Sequence, residues 1–334
     1  MNRRDFLAGL AAGAALPALA ASLRRIGEVR RLDPALDAII DRNAPVEVLG
    51  EGYGWAEGPV WVGRGGFLLF TDVPGNRIWR WSPAAGVGLF MEPSGLAGPV
   101  PAGVNEAGAN GLALDARGRL LMADSGSRAI ARVDLATRAK TILADRVGGK
   151  RFNSPNDLVV ARSGAIYFTD PPYGLKGIQA SPLREMAMQG VYRLDPDGRV
   201  SVIDDGLSLP NGIALSPDGR TLYVSMSDKD RPEILAYALD RAGRATGSRV
   251  FHDMRPHMGR PGLPDGMDVA ASGHLFATGP GGVHVLAPGG KLLGVVSTGK
   301  PIANCCLGEN GRSLFMTSHD TLARVRLAQR RPPA

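Results

Sequence analysis

Short apolar runs recur along the chain in one pattern, in which a polar residue leads an apolar strand, a glycine turn and a second apolar strand. The six copies are EGPVWVGRGGFLLFTD, NGLALDARGRLLMAD, NDLVVARSGAIYFTD, NGIALSPDGRTLYVS, DGMDVAASGHLFATG and NCCLGENGRSLFMTS. A third strand follows each copy, as in RIWRWSP or GVYRLDP, and a fourth strand often follows the third. Short apolar runs bounded by turn residues indicate antiparallel β-structure.

Four antiparallel strands repeated six times predict an all-β fold, a six-bladed β-propeller over residues 46–330. Two stacked β-sandwiches are the alternative, but a sandwich would not keep repeating one turn pattern. The sixth copy ends at its third strand. The N-terminal segment VEVL, residues 46–49, can supply the missing fourth strand, which would close the ring and remove an exposed sheet edge.

Residues 21–45, which precede the propeller, are expected to be a linker with one short helix. Asp33 is a favourable helix cap, and Pro34 suits the first position of a helix. The pattern therefore predicts a short N-terminal helix over roughly residues 34–42.

Residues 1–20 have the pattern of an export signal and are excluded from the fold. The sequence RRDFL precedes an apolar run that ends in the small-x-small sequence ALA, and this run is too short for a transmembrane helix. Twin arginines in this context resemble a Tat-type signal peptide, with a Sec signal or a lipid-facing anchor as alternatives. We therefore expect export by the Tat machinery, a periplasmic location, and no stable membrane anchor after cleavage.

Composition agrees with a turn-rich protein and excludes some partners. The chain has 45 Gly and 25 Pro among 334 residues, and its formal charge of +7 becomes +6 without residues 1–20. Lys and Arg are scattered singly among acidic residues, so no nucleic acid partner is expected. The two cysteines, Cys305 and Cys306, are adjacent, which excludes a disulfide framework and predicts small buried core residues.

The loops of such a propeller divide into two faces. The turns between first and second strands are short and alike, such as SPDG and ASG. The segments that precede the first strands, or join second to third strands, are long and varied; we call the face that they form the mouth. Functional residues usually lie on the variable loops of a rigid scaffold, so the mouth is the candidate active face.

One oxygen-bearing residue introduces the first strand of every blade. These six residues, called the ring residues below, are Glu57, Asn110, Asn156, Asn211, Asp265 and Asn304. Their spacing is about one blade each, so they are expected to encircle the central channel at the mouth. Capping of the inner strands is the alternative role for any one of them, and for Asn110 and Asn304 both interpretations stay open.

Glu57 makes capping an incomplete explanation, because Glu is a poor turn residue. Its neighbours in WAEGPVW are mostly apolar, and an unpaired carboxylate there would be costly. One divalent cation suits this mixture of carboxylate and amide oxygens: Ca²⁺ is preferred, and Mg²⁺, Mn²⁺, Zn²⁺ or Fe²⁺ are possible. Glu57 and Asp265 together would neutralise such an ion. The histidines of HDMRPH, His252 and His257, lack a partner pattern typical of a zinc site.

Five stretches resemble the family of senescence marker protein (regucalcin), gluconolactonase and luciferin-regenerating enzyme. They are AEGPVW (56–61), KRFNSPNDLVV (150–160), IYFTDPPYG (166–174), LPNGIALSPDG (209–219) and LPDGMDVAASG (263–273). The resemblance covers about residues 33–328, and NSPND and TDPPYG are most similar to the bacterial gluconolactonases. It implies a six-bladed propeller with one catalytic divalent metal that hydrolyses sugar lactones.

The resemblance also implies metal ligands and a base. Glu57, Asn211 and Asp265 match the family's metal ligands. Asn156 matches a fourth position that binds the metal, directly or through water, or the substrate. Asp265 also matches the proposed general base, so it is expected to bind the metal through one oxygen and to use the other for proton transfer.

Substrate contacts are expected from the same face. Tyr173, in a mouth loop, is expected to contact the sugar, with packing within the loop as its alternative role. Asn156 and Asn110 are the other substrate-binding candidates. The animal members carry Arg where this chain has Ser154, so their substrate details do not transfer.

The expected function is therefore metal-dependent hydrolysis of a gluconolactone-like sugar lactone to the aldonic acid. The metal would polarise the carbonyl group, and Asp265 would accept a proton from the attacking water. Two alternatives stay open. One is hydrolysis of another ester or an organophosphate at the same metal site, and the other is a metal- or ligand-binding propeller without turnover.

Overall fold

A computed structural model describes residues 23–328 of the chain. Within that range the chain forms 28 short β-strands and three 3-10 helices, and none of these helices is long and apolar enough to cross a membrane. The predicted export signal over residues 1–20 lies outside the described residues and stays a prediction.

The described chain begins with three short strands and a 3-10 helix. The strands are β1 (Arg25–Ile26), β2 (Glu28–Arg31) and β3 (Val46–Glu51), and the helix is Pro34–Ala38. The Asp33 side chain accepts a hydrogen bond from the Ala35 N–H at 2.8 Å, as a cap should.

The helix predicted over residues 34–42 is wrong in type and length. Ile40 is fully buried in the core and Ile39 packs against the same cluster, so the chain leaves the helix to place both side chains. Asp41 then begins a turn, in which its carboxylate accepts from the Asn43 N–H at 2.8 Å. Burial of the two isoleucines therefore outweighs the local helix signal.

Blades I to III are four-stranded antiparallel sheets that follow one another along the chain, with the first strand of each on the channel side. Blade I contains β4 (Ala56–Val62), β5 (Phe67–Asp72), β6 (Arg77–Ser82) and β7 (Gly86–Met91). Blade II contains β8 (Leu112–Leu114), β9 (Leu120–Asp124), β10 (Ala129–Val133) and β11 (Lys140–Ala144). A small hairpin of β12 (Arg146–Val147) and β13 (Lys150–Arg151) precedes blade III. Blade III contains β14 (Leu158–Val160), β15 (Ile166–Asp170), β16 (Gln189–Leu194) and β17 (Val200–Leu207). A second 3-10 helix, Ile178–Ala180, lies in the β15–β16 loop.

Blades IV to VI complete the circle. Blade IV contains β18 (Pro210–Leu215), β19 (Thr221–Met226), β20 (Glu233–Leu239) and β21 (Ala245–Asp253), and the 3-10 helix Arg255–His257 follows it. Blade V contains β22 (Met267–Val269), β23 (Leu275–Gly279), β24 (Gly282–Leu286) and β25 (Leu292–Ser297). Blade VI contains β26 (Asn304–Gly308), β27 (Ser313–Ser318) and β28 (Thr321–Arg326). The fold is thus the predicted all-β six-bladed propeller.

The N-terminal strand β3 closes the ring as predicted. It pairs antiparallel with β28, with Val46 opposite Val325, and so becomes the fourth strand of blade VI. Two further pairings were not predicted: β1 extends blade VI beside β3, and β2 extends blade V beside β25. Residues 23–45 are therefore packed onto the propeller.

The core is divided into six apolar clusters, each lying between two neighbouring blades. Between blades II and III, for example, Leu121 and Ile130 pack with Phe152 and Phe168. Every blade therefore buries both of its faces, which is why second strands such as β9 (LLMAD) and β23 (LFATG) are buried at every position and not only at alternate ones.

Cys305 and Cys306 behave as the predicted core residues. Both are buried free thiols, and they pack in different clusters because successive residues of β26 point to opposite faces. Burial raises the pKa of both thiols well above the usual value, so neither is a ready nucleophile.

Buried hydroxyl groups on second strands connect neighbouring blades at the mouth. In three blades such a hydroxyl donates to the backbone carbonyl of the ring residue in the next blade: Thr71 to Asn110 at 3.0 Å, Thr169 to Asn211 at 2.6 Å, and Ser225 to Asp265 at 2.8 Å. All three hydroxyl-bearing residues have no exposed surface. The position of a ring residue is therefore set by the blade before it as well as by its own.

Replacing Thr169 by Val tests this connection. The Thr169 hydroxyl also accepts from the Asp157 N–H at 3.2 Å, so its removal leaves two buried backbone groups without a partner. We expect the free energy of unfolding to fall by about 1–3 kcal/mol in urea titrations. The control is Thr246→Val, because Thr246 is exposed on β21 and should change stability by no more than about 0.5 kcal/mol. Equal effects of the two substitutions would contradict the structural role of the inter-blade bond.

Candidate active site

A cavity of about 450 Å³ opens at the mouth, at the end of the central channel. Five of the six ring residues line it: Glu57, Asn110, Asn156, Asn211 and Asp265. Trp55, Leu263 and Ile302 add apolar wall, and Tyr173 enters from the β15–β16 loop as predicted. A concave site of this size with a few convergent polar groups is typical of a small-molecule site.

Asn304 is the ring residue that does not line this cavity. It faces the channel on the inner side of the ring, together with Asp157 and Asp268. Burial raises the pKa of Glu57 and Asp157, and hydrogen bonding by the Asn304 side chain offsets part of that rise. Asn304 therefore lies on the channel side of the ring and hydrogen-bonds to Glu57 and Asp157. The expectation that all six side chains meet in one site does not hold for it.

Glycine follows several ring residues because the backbone of the next blade lies against it. A Cβ atom at Gly58 would lie 2.0 Å from the carbonyl oxygen of Asn110, and one at Gly212 would lie 2.2 Å from that of Asp265. Any side chain at these two positions would push neighbouring blades apart and displace the ring residue. The EG and NG pairs of the repeat therefore reflect close packing of inner strands.

The Asn211 amide is oriented by a neighbouring serine. Its Nδ2 donates to the Ser227 hydroxyl at 2.9 Å, and that hydroxyl donates in turn to the Pro264 carbonyl. Because the amide nitrogen makes this bond, the amide oxygen is the atom left to accept from a ligand or to bind a cation. Ser227 is a cavity residue that the sequence pattern did not reveal.

Three carboxylates share the cavity: Glu57, Asp265 and Glu106. Burial raises the pKa of Glu57 to about 7, although its Oε2 accepts from the Gly58 N–H at 2.9 Å. Burial, together with the charge of Glu57, also raises the pKa of Glu106 to about 7 and that of Asp265 well above its ordinary value. Among the described residues that line this cavity, none is Lys, Arg or His. The carboxylates therefore repel one another without a cationic side chain to balance them.

Several buried polar atoms in this cavity have no hydrogen-bond partner within the described part of the chain: Asn110 Oδ1, Asp265 Oδ1, Glu106 Oε2 and the Tyr173 hydroxyl. Buried polar atoms are normally paired, so unpaired ones that converge on one cavity indicate a ligand. The donor set offers carboxylate and amide oxygens without nitrogen or sulfur. Its chemistry and its excess negative charge fit a hard divalent cation.

The loop that carries Tyr173 is held in place by Ser154. The Ser154 hydroxyl donates to the Pro171 carbonyl at 2.6 Å and accepts from the Gly174 N–H at 2.9 Å. Asp170 fixes the same segment by accepting from the Ser154 N–H at 2.9 Å. Ser154 therefore positions a cavity wall through the backbone.

Glu106 is the cavity residue that the sequence pattern missed most clearly. It lies in the long loop between β7 and β8, whose backbone joins the Tyr173 loop through a bond from the Asn105 N–H to the Gly174 carbonyl at 2.8 Å. Only the position of that loop on the mouth face pointed to it. No spacing rule applies, because Glu106 lies outside the strand repeat.

Comparisons with known proteins agree with the fold. Residues 55–320 match the family model described as the SMP-30/gluconolactonase/LRE-like region. The chain is 48% identical over 307 residues to a gluconolactonase of Zymomonas mobilis, which covers 90% of this chain and 86% of the relative. It is 28% identical over 225 residues to a pentonolactonase of Haloferax volcanii, covering 66% and 65% of the two chains. A solved gluconolactonase structure from Xanthomonas campestris superposes with a TM-score of 0.79 at 35% identity, covering 92% of this chain and 97% of that one.

The fold is a six-bladed propeller, and the gluconolactonase and pentonolactonase relatives place the chain among the hydrolases. The chain belongs to the SMP-30/gluconolactonase/LRE-like family, since the family model spans most of its length.

Replacing Glu57 by Gln tests the repulsion among the carboxylates. Because the folded pKa of about 7 lies above the ordinary value of 4.5, the folded state keeps a proton that the unfolded chain has released across this window. Stability from this group is therefore lost as pH rises through about 7. In chelator-treated protein at pH 8, we expect Glu57→Gln to raise the free energy of unfolding by up to about 3 kcal/mol over the parent chain.

The opposite result is expected with a divalent cation present, because the variant lacks a carboxylate ligand and should gain less stability from the ion than the parent chain. Denaturant titrations with and without Ca²⁺ or Mn²⁺ measure both effects. Glu92→Gln is the matched control, because Glu92 is an exposed partner of Arg77. A metal-free Glu57→Gln protein that is less stable than the parent at pH 8 would show that crowding of the carboxylates is not costly.

Proposed function

We propose that the chain hydrolyses a sugar lactone to the aldonic acid in the mouth cavity, with the help of a divalent cation. Lactonase activity, a carboxylic ester hydrolysis, agrees with the 48% identity to a gluconolactonase over most of both chains. The observation that carries the mechanism is Asp265 Oδ1, a buried carboxylate oxygen without a hydrogen-bond partner among residues 23–328, which lies at the same cavity as Glu57 and Asn211.

Glu57, Asn211 and Asp265 would hold the cation, and Asn156 would serve as a fourth ligand or as a substrate contact. Ca²⁺ fits this oxygen set best, and Mg²⁺, Mn²⁺, Zn²⁺ or Fe²⁺ are alternatives. When bound, the cation supplies positive charge that polarises the lactone carbonyl and stabilises the developing oxyanion.

Asp265 is proposed as the general base. Its Oδ1 accepts a proton from the water whose oxygen bonds to the carbonyl carbon of the lactone. The bond between that carbon and the ring oxygen then breaks, and the proton passes from Asp265 to the ring oxygen as it leaves. The products are a carboxylic acid and a free hydroxyl on one chain, and no covalent bond to the protein forms.

The lining of the cavity suits a polar ring compound. Asn110, Asn156, Tyr173 and Glu106 offer donors and acceptors to sugar hydroxyls around the rim. Trp55 provides an aromatic surface of the kind that packs against the C–H face of a sugar ring. Amide and carboxylate groups on one side and an aromatic face on the other would hold the lactone with its carbonyl towards Asp265.

Lactone hydrolysis is tested by following acid release from glucono-1,5-lactone after chelator treatment, with each candidate cation added back and spontaneous hydrolysis subtracted. We expect a cation-dependent rate that falls by about 10²–10⁴-fold in Asp265→Asn, because the base is lost while the shape is kept. The control is Asp197→Asn, since Asp197 lies in an exposed turn of blade III and accepts from the Arg199 N–H.

Two outcomes would contradict the proposal. If no cation accelerates hydrolysis in folded protein, the gluconolactone substrate is wrong, and other lactones, esters and organophosphates are then assayed. If Asp265→Asn keeps full activity, another group is the base. A protein that binds lactone in equilibrium dialysis but never turns it over would be a binding propeller.

We also propose that the enzyme acts in the periplasm after export of the folded chain. The support is the twin-arginine sequence RRDFL with its short apolar run in residues 1–20. Replacing Arg3 and Arg4 by Lys should hold the enzyme in the cytoplasmic fraction, as measured by fractionation and immunoblotting of the full chain. Undiminished export of this variant would contradict the Tat route and favour a Sec signal.

A further inference from the structure

Three of the five histidines of the chain meet at the outer side of the junction between blades IV and V. His252 lies near the end of β21, His257 ends the 3-10 helix that follows, and His284 lies on β24. One ring nitrogen from each lies within 4.8 Å of the other two. The HDMRPH segment, which lacked a partner in the sequence pattern, thus gains one from the next blade.

Hydrogen bonding fixes the protonation of His284. Its Nε2 lies 3.1 Å from the Pro280 carbonyl oxygen, which can only accept, so Nε2 carries the proton and Nδ1 is the acceptor nitrogen. That Nδ1 lies 3.1 Å from His252 Nε2. A backbone carbonyl bound to the far nitrogen is the usual device that orients a metal-binding histidine.

The spacing of the nitrogens suits a tetrahedral ion. Two nitrogens bound at 2.0–2.1 Å to one tetrahedral Zn²⁺ lie roughly 3.3 Å apart, close to the separation of His252 and His284. His284 is fully buried, whereas His252 and His257 are partly exposed. The exposed side offers an entry path for the ion and a place for a water ligand.

We propose that His252, His257 and His284 form a second metal site, which takes a borderline dication such as Zn²⁺ and is distinct from the oxygen-lined mouth cavity. Three imidazoles suit Zn²⁺, Ni²⁺ or Cu²⁺, whereas the ring residues suit hard cations. Burial lowers the pKa of His252 to about 4 and that of His284 to about 3, so both rings are neutral at pH 7, as ligands must be. The negative charge of Asp253 favours a cation among the three histidines, whereas the positive charges of Arg30 and Arg260 disfavour one.

The site would fasten one wall of the mouth cavity. The chain from His252 to Asp265 carries Gly262 and Leu263, which line that cavity, and ends at the proposed general base. A bond from the Gly281 N–H to the Pro261 carbonyl at 2.7 Å already joins this segment to blade V. A metal shared by His252, His257 and His284 adds a second connection, so binding should restrict opening of residues 254–262.

The metal site is tested directly by recording the nuclear magnetic resonance signals of the imidazole rings in full-length protein without a histidine tag. Chelator-treated protein is titrated with Zn²⁺, and with Ca²⁺ as the hard-cation comparison. We expect the ring resonances of His252, His257 and His284 to shift with one equivalent of Zn²⁺ and not with Ca²⁺. His257→Ala should abolish the shifts, and His274→Gln, on the opposite face, should preserve them.

Hydrogen exchange measures the consequence for the cavity wall. At a Zn²⁺ concentration 100 times the Kd, amide exchange that requires opening of residues 254–262 should slow by about 100-fold in the parent chain and not in His257→Ala.

Absence of histidine shifts at millimolar Zn²⁺, or unchanged binding by His257→Ala, would overturn the three-histidine site. Binding without slower exchange would overturn its role in fastening the wall. Neither readout depends on lactone turnover, so this test of the three-histidine site is independent of the proposed function.

Discussion

Mutual repulsion among buried carboxylates at the mouth is the constraint on which the structure and its chemistry depend. Glu57, Glu106 and Asp265 share one cavity without a cationic side chain among its described lining residues, and burial pushes the pKa of each upward. A buried, unbalanced negative charge costs free energy that the apolar clusters between blades must offset. Such an arrangement persists where a cation or a polar ligand offsets the cost, which is the physical basis of the proposed cation site at the mouth.

Hydrogen bonds within the propeller hold the ring residues in place against this repulsion. Thr71, Thr169 and Ser225 bind ring-residue carbonyls across blade boundaries. Asn211 is oriented through Ser227, and the Tyr173 loop is held through Ser154. Each of these groups binds a backbone or amide atom and so sets the position of a ring residue or of the Tyr173 loop.

The repeat predicted the fold because it is a property of local spacing. Strand length, the Gly turns and one polar residue per blade are all visible along the chain, and so five ring residues were found in the cavity that they line. Residues placed by loops were not predictable in this way. Glu106 reaches the cavity only because its loop pairs with another, and His284 joins His252 and His257 across a blade boundary that no spacing reveals.

Other differences arose where tertiary packing overrode local preference. Residues 39–42 left the predicted helix because Ile39 and Ile40 are needed in the core. The segment EVRR of β2 has little apolar character, yet it completes the edge of blade V by backbone pairing with β25 and by burial of Val29. Asn304 follows the ring pattern in sequence but faces the channel, where it supports Glu57 and Asp157.

The most direct measurement of the central claim is the position of a bound dication in crystals of the enzyme soaked with Mn²⁺, located by anomalous scattering. We expect a peak in the mouth cavity within bonding distance of Glu57, Asn211 and Asp265. A cavity without a peak at saturating Mn²⁺, with its carboxylates paired to other groups, would contradict the claim that the ring residues form a cation site.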